Sequence, residues 1–191
     1  LHFRIGDFKN TNMSKSHNIL PLKYYQNSLE KIFHETNSIN KPNTKLVCNC
    51  GKSFKKIKYF ISHKEICSDK VSLEQVKNNK ILPSNYYKVL CFFENEDSKD
   101  VLNHIKNLKE KFSNTMFTLI NTSIPDHEQL LIMSLCKHNI IANSTFSWWA
   151  AYLNKNKEKI ITYPSVWFGK NKKHLDTCDL FPDYWNKIQV N

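Results

Sequence analysis

The sequence predicts an α/β fold in which a parallel β-sheet is flanked by helices and interrupted by a small ββα insertion. Short apolar runs, such as 89–93 and 140–142, are typical of strands that a parallel sheet buries on both faces. These runs alternate with helical patterns over residues 86–163, which is typical of a doubly wound sheet. A cluster of cysteine and histidine between residues 48 and 67 predicts the insertion.

The composition fits one domain with a small appendage. The chain has 191 residues, 40% of them hydrophobic, and no apolar run resembles a membrane span or a signal peptide. The net charge is +11, but Arg4 is the one arginine, so we expect a solvated lysine surface rather than a nucleic-acid footprint. The cysteines are clustered rather than spread as a disulfide framework, which favours a reducing compartment, the cytoplasm.

The first eight residues alternate like a strand that ends near a glycine. This alternation places His2 and Arg4 on the same side, and Gly6 allows the backbone to turn or a ligand to approach. Two interpretations are open at this point. Arg4 is either a solvated residue on a half-buried edge strand or a guanidinium that grips a phosphate through two donors.

The other elements are predicted from apolar periodicity. A helix is expected over 23–33, because Tyr25, Leu29 and Ile32 recur at helical spacing after Pro21. Further along, the pattern predicts strands at 86–93, 116–120, 140–142 and 159–163, and helices at 101–112 and 126–136.

Residues 138–153 predict a strand, a turn and a further helix. Ser144 or Thr145 can act as the N-cap, with a side-chain oxygen accepting from the first helical turn, and the helix continues to Leu153. The unpaired N–H groups at such a helix start attract phosphate or another anion at the carboxyl edge of the sheet. The alternative is an ordinary strand–helix junction whose tryptophans belong to the core.

The insertion is predicted to bind structural zinc. From Cys50 onward, the spacing Cys-x3-Phe-x5-Phe-x2-His-x3-Cys matches a ββα zinc finger, with cysteine instead of histidine as the last ligand and one residue instead of two between the first cysteines. The expected ligands are Cys48, Cys50, His63 and Cys67. The chain is thereby divided into a main domain, residues 1–38 and 71–191, and an insertion, residues 41–69. Residues 41–70 contain eight lysines and two acidic residues, so contact with nucleic acid or protein is an alternative to a purely structural role.

Four motifs resemble those of the α-1,2-fucosyltransferases, glycosyltransferases that use GDP-fucose. The first is His2-x-Arg4-x-Gly6-Asp7, and the second is ILPLKYY at 19–25. The third is MSLCKHNIIANSTFSWW at 133–149, and the fourth combines WF at 167–168 with DLFPxxW at 179–185. The resemblance covers residues 1–35 and 86–191 and leaves out the insertion.

The resemblance implies a GT-B glycosyltransferase, of which this chain is the C-terminal, Rossmann-like, donor-binding part. It also implies an inverting, metal-independent transfer of L-fucose from GDP-β-L-fucose to a hydroxyl of a glycan acceptor, in α-1,2 linkage. By this resemblance Arg4 would hold the diphosphate and stabilise the departing GDP, and Asp7 is the nearest carboxylate that could take part in catalysis. The other donor-binding residues so implied are His2, Gly6, Asn143, Ser144, Thr145 and Phe146.

The chain departs from the family pattern in three respects. Ile5 stands where a second arginine is common, and Glu128-Gln129 replaces an acidic pair. The chain also starts close to the first motif, so an N-terminal half encoded upstream is expected to complete the acceptor side of the cleft. The alternative function is an inactive scaffold that acts as a nucleic-acid- or protein-binding module through the zinc finger.

Overall fold

The computed structural model describes residues 1–4, 18–39, 46–47, 53–54 and 87–190. The chain forms two compact units, one comprising Leu1–Ile32 with Tyr87–Asn191 and the other Phe33–Tyr86. Within the second unit, strands β1 (Leu46–Val47) and β2 (Ser53–Phe54) pair antiparallel. In the sequence, these two strands flank the segment that carries Cys48 and Cys50.

The first helix, α1 (Leu22–Ile39), begins directly after Pro21 and is longer than predicted. No glycine or proline occurs between Pro21 and Pro42, so the sequence offers no strong helix breaker at residue 33. Tyr24 and Tyr25 are fully buried. The Tyr24 hydroxyl donates to the carbonyl oxygen of Ile141 at 2.5 Å, which fixes the start of α1 against the sheet.

A βαβ unit follows, formed by β3 (Tyr87–Cys91), α2 (Ser98–Lys111) and β4 (Thr115–Leu119). The two strands pair in parallel, and a short 3-10 helix at Asn95–Asp97 precedes α2. Helix α2 buries Val101, Ile105 and Leu108, which lie on one face because of their helical spacing. The predictions of these three elements are confirmed, with ends that differ by a few residues.

The second half of the sheet contains the strand–helix junction singled out in the sequence. Helix α3 (Asp126–Ser134) leads to β5 (Asn139–Ile140), α4 (Thr145–Leu153) and β6 (Ile161–Pro164). Helix α3 stops before the predicted Cys136, because the Met133 carbonyl accepts from the Cys136 N–H and from the Asn139 side-chain amide. A last strand, β7 (Asn186–Ile188), pairs in parallel with β6 and is missing from the sequence-based prediction.

The extended segment Leu1–Phe3 joins the two groups of strands. His2 forms a parallel bridge to Phe92, and the Phe3 N–H donates to the Phe92 carbonyl at 2.9 Å. On the other side, the His2 N–H donates to the Ile140 carbonyl at 3.0 Å. The order is therefore β4, β3, Leu1–Phe3, β5, β6, β7, with the first strand in the middle as in doubly wound sheets. The α/β class and the parallel pairing are confirmed, whereas the edge-strand interpretation of the first residues is wrong.

Successive residues of this central strand contact different helices. The centroid of the Phe3 ring lies 4.5 Å from that of Tyr25 in α1. The Phe3 ring also stacks on the His104 ring of α2. The His2 ring lies on the opposite face, 5.8 Å from Phe146 of α4. Helices α1 and α2 thus cover one face of the centre of the sheet, and α4 covers the other.

Two apolar clusters hold the second face. One contains Phe92, Met133 of α3 and Ala150 of α4. The other surrounds β6 and includes Ile141, Ala151, Ile161, Tyr163, Trp167 and Trp185. Among the described residues, no helix is both long and apolar enough to cross a membrane.

Candidate functional site

The switch crevice, as we name it, is the space beyond the carboxyl ends of Leu1–Phe3 and β5. The strand order reverses between these two strands, since chain connections run to opposite sides of the sheet from this point. Open α/β sheets bind ligands at such a point, because the two neighbouring loops separate there. Arg4 follows the central strand, and the turn that contains Asn143 and Ser144 follows β5. Two of the predicted anion-binding groups, Arg4 and the start of α4, therefore follow neighbouring strands at the same edge of the sheet.

Arg4 is held at this edge by an ion pair with Glu94. Its Nη1 donates to Oε1 of Glu94, and the two side chains are 23% and 50% exposed. Glu94 follows β3, the strand that neighbours Leu1–Phe3. Most of the arginine is therefore covered, and the pair lies at the edge of the sheet where both strands end. Glu94 is not predicted as a site residue from the sequence, where it is one of three carboxylates in the run 94–97.

His2 lies under the crevice, with 3% of its surface exposed. Burial lowers the pKa of His2 to about 3, and nearby positive charge, including that of Arg4, acts in the same direction. The imidazole is therefore neutral near physiological pH. Its Nδ1 is buried without a hydrogen-bond partner in the described part of the chain. A neutral imidazole with an unused nitrogen can form a hydrogen bond with a bound ligand.

The N-terminus of α4 faces the crevice without a side-chain cap. Ser144 occupies the N-cap position with an extended backbone, at φ −139° and ψ 130°, but its side chain makes no capping hydrogen bond. The predicted N-cap position is therefore confirmed for Ser144, whereas the predicted capping bond is wrong. Thr145 is exposed and opens the helix. The first-turn N–H groups, together with the helix dipole, provide positive potential for an anion.

A match to a known protein family identifies the family of this chain. The model of glycosyl transferase family 11 matches residues 55–189, which is more than half of the chain. The chain belongs to glycosyl transferase family 11. The matched stretch contains β3 to β7 and the start of α4, whereas Arg4 and His2 lie before it.

Two curated relatives come from Escherichia coli. The O-antigen biosynthesis glycosyltransferase WbnK is 35% identical over 111 residues, which cover 54% of this chain and 37% of that protein. An α-1,2-colitosyltransferase is 29% identical over 125 residues, covering 65% of this chain and 40% of that protein. The chain thus spans about two fifths of the length of these relatives. No solved structure matches the chain significantly.

Asn143, in the turn after β5 of this family 11 chain, forms hydrogen bonds to two other segments of the chain. It is buried, and its Nδ2 donates to the carbonyl oxygens of Asn18, at 2.9 Å, and of Trp167, at 3.3 Å. The Asn18 side chain in turn donates to the Phe168 carbonyl at 3.4 Å. The donors of Asn143 are therefore used within the protein, while its buried Oδ1 lacks a partner among the described residues. Asn143 shapes the turn and offers one acceptor.

The tryptophans after this turn have different environments. Trp148 is partly buried, donates from Nε1 to the Leu180 carbonyl at 2.8 Å and stacks on Tyr152. Trp149 is 51% exposed. The expectation that these tryptophans are core residues therefore describes Trp148 and not Trp149.

The remaining predicted site residues lie outside the described ranges. These are Gly6 and Asp7 of the first motif and the four predicted zinc ligands, Cys48, Cys50, His63 and Cys67. Within residues 1–4, 18–39 and 87–190, no group of three or more His, Cys, Asp or Glu side chains could hold a metal ion.

A separate cavity of about 390 Å³ lies beside the C-terminal segment. Its lining includes Tyr163, Phe181, Asp183 and Lys187, and none of the residues that border the switch crevice. The Tyr163 and Phe181 rings stack on each other, with centroids 3.8 Å apart, so part of this lining is packed aromatic surface. This cavity therefore lies apart from the predicted donor-binding residues.

Proposed function

We propose that this family 11 chain binds a GDP-sugar, GDP-β-L-fucose in our assignment, and forms the donor side of a glycosyltransferase. The observation that carries the proposal is that Arg4 and the uncapped start of α4 follow two neighbouring strands at the same edge of the sheet. A guanidinium can donate two parallel hydrogen bonds to phosphate, and a helix N-terminus adds further N–H donors. A diphosphate matches both groups at once.

These groups also suit the transfer reaction. In an inverting transfer, an acceptor hydroxyl oxygen forms a bond to the anomeric carbon of fucose while the bond to the β-phosphate oxygen breaks. Negative charge then develops on the departing GDP, and the acceptor proton passes to a base. We assign Arg4 and the α4 N–H groups to the stabilisation of this charge, because preorganised donors act most strongly where charge develops. Asp7 is our candidate for the carboxylate that takes part in proton transfer.

The neutral His2 and the Oδ1 of Asn143 complete the assignment. Both are buried atoms without protein partners in the described part of the chain, and both lie next to the groups that would meet the diphosphate. We assign them to hydrogen bonds with the nucleotide sugar. Phe146 packs against His2 and limits the movement of its ring.

The overall arrangement that we propose is of the GT-B type, with the donor in a cleft between two domains. Residues 1–38 and 71–191 are assigned to the donor side, and a glycan acceptor is expected to approach from the opposite side. The α-1,2 linkage is part of this proposal. It is supported by the name of one relative, the α-1,2-colitosyltransferase.

Arg4→Lys tests the proposal, because lysine keeps the charge but loses the two-pronged contact. We expect the affinity for GDP and GDP-fucose to fall about tenfold, equivalent to about 1.4 kcal/mol, whereas GMP, which lacks the β-phosphate, loses less than about threefold. Isothermal titration calorimetry gives all three affinities. Lys99→Ala, at an exposed position of α2, is the control for loss of a surface cation.

Two results would count against the proposal. Equal losses for GDP and GMP would remove Arg4 from the diphosphate. Failure of the unsubstituted chain to prefer GDP over an unrelated nucleotide such as UMP would remove the donor site itself.

A further inference from the structure

We propose that Glu94 is a positioning residue of Arg4 and that its carboxylate orients the guanidinium toward the diphosphate. This inference rests on the proposed function, since it concerns how Arg4 meets the donor. Nη1 of Arg4 donates to Oε1 of Glu94, so one edge of the guanidinium faces the carboxylate. The other N–H groups of a rigid planar fork then have a defined direction.

The register of the sheet places these two side chains together. His2 forms a parallel bridge to Phe92, so the segments that contain these two residues run side by side in the same direction. Arg4 and Glu94 each lie two residues further on, and side chains two residues apart point to the same face of a sheet. The ion pair therefore joins two segments that continue neighbouring parallel strands at the carboxyl edge.

Glu94 also lies on the appropriate side of Arg4. Its strand, β3, is on one side of Leu1–Phe3, and β5, which leads into α4, is on the other. Glu94 therefore attracts the guanidinium from the side away from the strand that leads into α4. An anion between Arg4 and α4 would then contact both positive groups, while the carboxylate lies beyond the arginine.

The burial of the pair indicates that Glu94 orients Arg4 more than it repels a bound phosphate. Free arginine loses considerable side-chain entropy when a ligand fixes it, and a partner that already restricts it reduces this loss. The Arg4 side chain is 23% exposed, so it is largely packed before any ligand arrives. The Glu94 side chain is 50% exposed, so solvent and salt weaken its repulsion of a phosphate on the far side of Arg4. The orienting effect should therefore exceed the repulsion.

Titrations of the full chain with GDP and GMP test this role. Glu94→Gln keeps the size of the side chain, and we expect about a fivefold loss of GDP affinity; Glu94→Ala should lose about tenfold, with GMP changed by less than about twofold. Glu96→Ala is the matched control, because it removes the same charge from an exposed position of the neighbouring 3-10 helix. It should leave GDP affinity within about twofold.

A double-mutant cycle separates positioning from a direct contact. Glu94→Ala should cause no further loss of GDP affinity when combined with Arg4→Ala, because a positioning residue acts only through its partner. Tighter GDP binding by Glu94→Ala would show that the carboxylate competes with the phosphate, and additive losses would show that it acts independently of Arg4. Either result overturns the inference.

The same measurements distinguish its failure from that of the proposed function. If Arg4→Ala leaves GDP affinity unchanged, the diphosphate site is wrong and the role of Glu94 fails with it. If Arg4→Ala weakens GDP and both Glu94 variants bind GDP normally, the diphosphate site stands and only the positioning role is lost.

Discussion

Two residues of the switch crevice, Arg4 and His2, differ in charge. Arg4 carries the positive charge that the arginine guanidinium has throughout the accessible pH range, and it forms an ion pair with Glu94. His2 lies two residues earlier in the same strand, but it is 3% exposed and its pKa is lowered to about 3. The strand therefore presents one permanent cation and one neutral ring. Only the first is suited to balance charge on a phosphate.

The burial of His2 predicts a loss of stability in weak acid. Between its folded pKa of about 3 and its ordinary value of 6.5, the unfolded chain binds a proton that the folded chain does not bind, so stability falls as the pH is lowered through this window. From about pH 7.5 to about pH 5.5, His2 should account for a loss of about 1.4 kcal/mol in the free energy of unfolding. Urea unfolding at both pH values measures this loss. Between the two pH values, the free energy of unfolding of His2→Gln should fall less than that of the unsubstituted chain, and the difference should equal the contribution of His2.

His174→Gln is the control, since His174 is exposed near the C-terminal segment. It should retain the pH dependence of the unsubstituted chain. An NMR titration in which the His2 ring protonates near its ordinary pKa would contradict the prediction.

Arg4 could be selected from the sequence, whereas Glu94 could not. Arg4 is the one arginine among 28 basic residues, and it occurs at a strand end next to a glycine. Glu94 lies in the acidic run Glu94-Asn95-Glu96-Asp97, where composition gives no reason to prefer one carboxylate. Glu94 becomes the partner of Arg4 because His2 pairs with Phe92, and these two residues are far apart in the chain. Such a register is decided by tertiary packing.

At the scale of elements, a cluster of asparagines joins α3, β5 and α4 at the amino edge of the sheet. Asn154, at the end of α4, donates to the Cys136 carbonyl and to Oδ1 of Asn139, both at 2.7 Å. Asn139 donates to the Met133 carbonyl at the end of α3. Two helix ends and the start of β5 are thus connected through two buried amides. This cluster is at the opposite end of β5 from the switch crevice.

Asn154→Ala should therefore destabilise the chain without affecting the donor site. Asn154 is 2% exposed, and its removal leaves buried acceptors unpaired, so we expect about 2–3 kcal/mol less free energy of unfolding. GDP affinity should stay within about twofold, because the crevice groups lie at the other edge. Urea unfolding and calorimetry give the two quantities.

Asn103→Ala, at an exposed position of α2, is the matched control and should change stability by less than about 0.5 kcal/mol. A GDP affinity that falls with stability in Asn154→Ala would show that the two edges of the sheet are coupled.

The elements that the sequence predicts well are those with long apolar patterns. Helix α2 lies close to its predicted position because Val101, Ile105 and Leu108 form a clear buried stripe. Strands β3 and β4 also lie close to their predicted positions. Strand β7 is missed, since it has three residues and none of them is buried, so it leaves little periodicity. The central place of Leu1–Phe3 is also missed, because periodicity identifies a strand but not its neighbours.

At the scale of the whole molecule, the chain divides into two compact units with different predicted chemistry. All the described groups assigned to the donor belong to the unit that contains the sheet. The four predicted zinc ligands, within residues 48–67, belong to the unit Phe33–Tyr86. This division allows the two sites to be tested separately.

Zinc removal is expected to affect the second unit alone. Chelation should release about one zinc per chain and unfold the segment around Cys48 and Cys67, because zinc binding supplies the folding free energy of such small segments. GDP affinity should change by less than about twofold if donor binding needs no metal and the units fold independently. Elemental analysis, circular dichroism and calorimetry measure these effects.

Cys178→Ser, at an exposed cysteine of the first unit, is the control and should retain its zinc. The absence of stoichiometric zinc in protein purified without chelator would remove the metal site. A Cys50→Ser variant that stays folded but loses GDP binding would connect the second unit to donor binding.

The central position of Leu1–Phe3 has a consequence for chain entropy. Leu1 bonds to Leu90 across a sequence separation of 89 residues, and the unit Phe33–Tyr86 occupies more than half of that separation. The entropic cost of closing a loop rises only with the logarithm of its length, by about 0.6 kcal/mol for each doubling. The additional unit therefore raises the closure cost by only about 1 kcal/mol. Burial of Phe3 alone, which is fully buried, contributes about 1.5–3 kcal/mol, so the sheet can accommodate a long insertion next to its central strand.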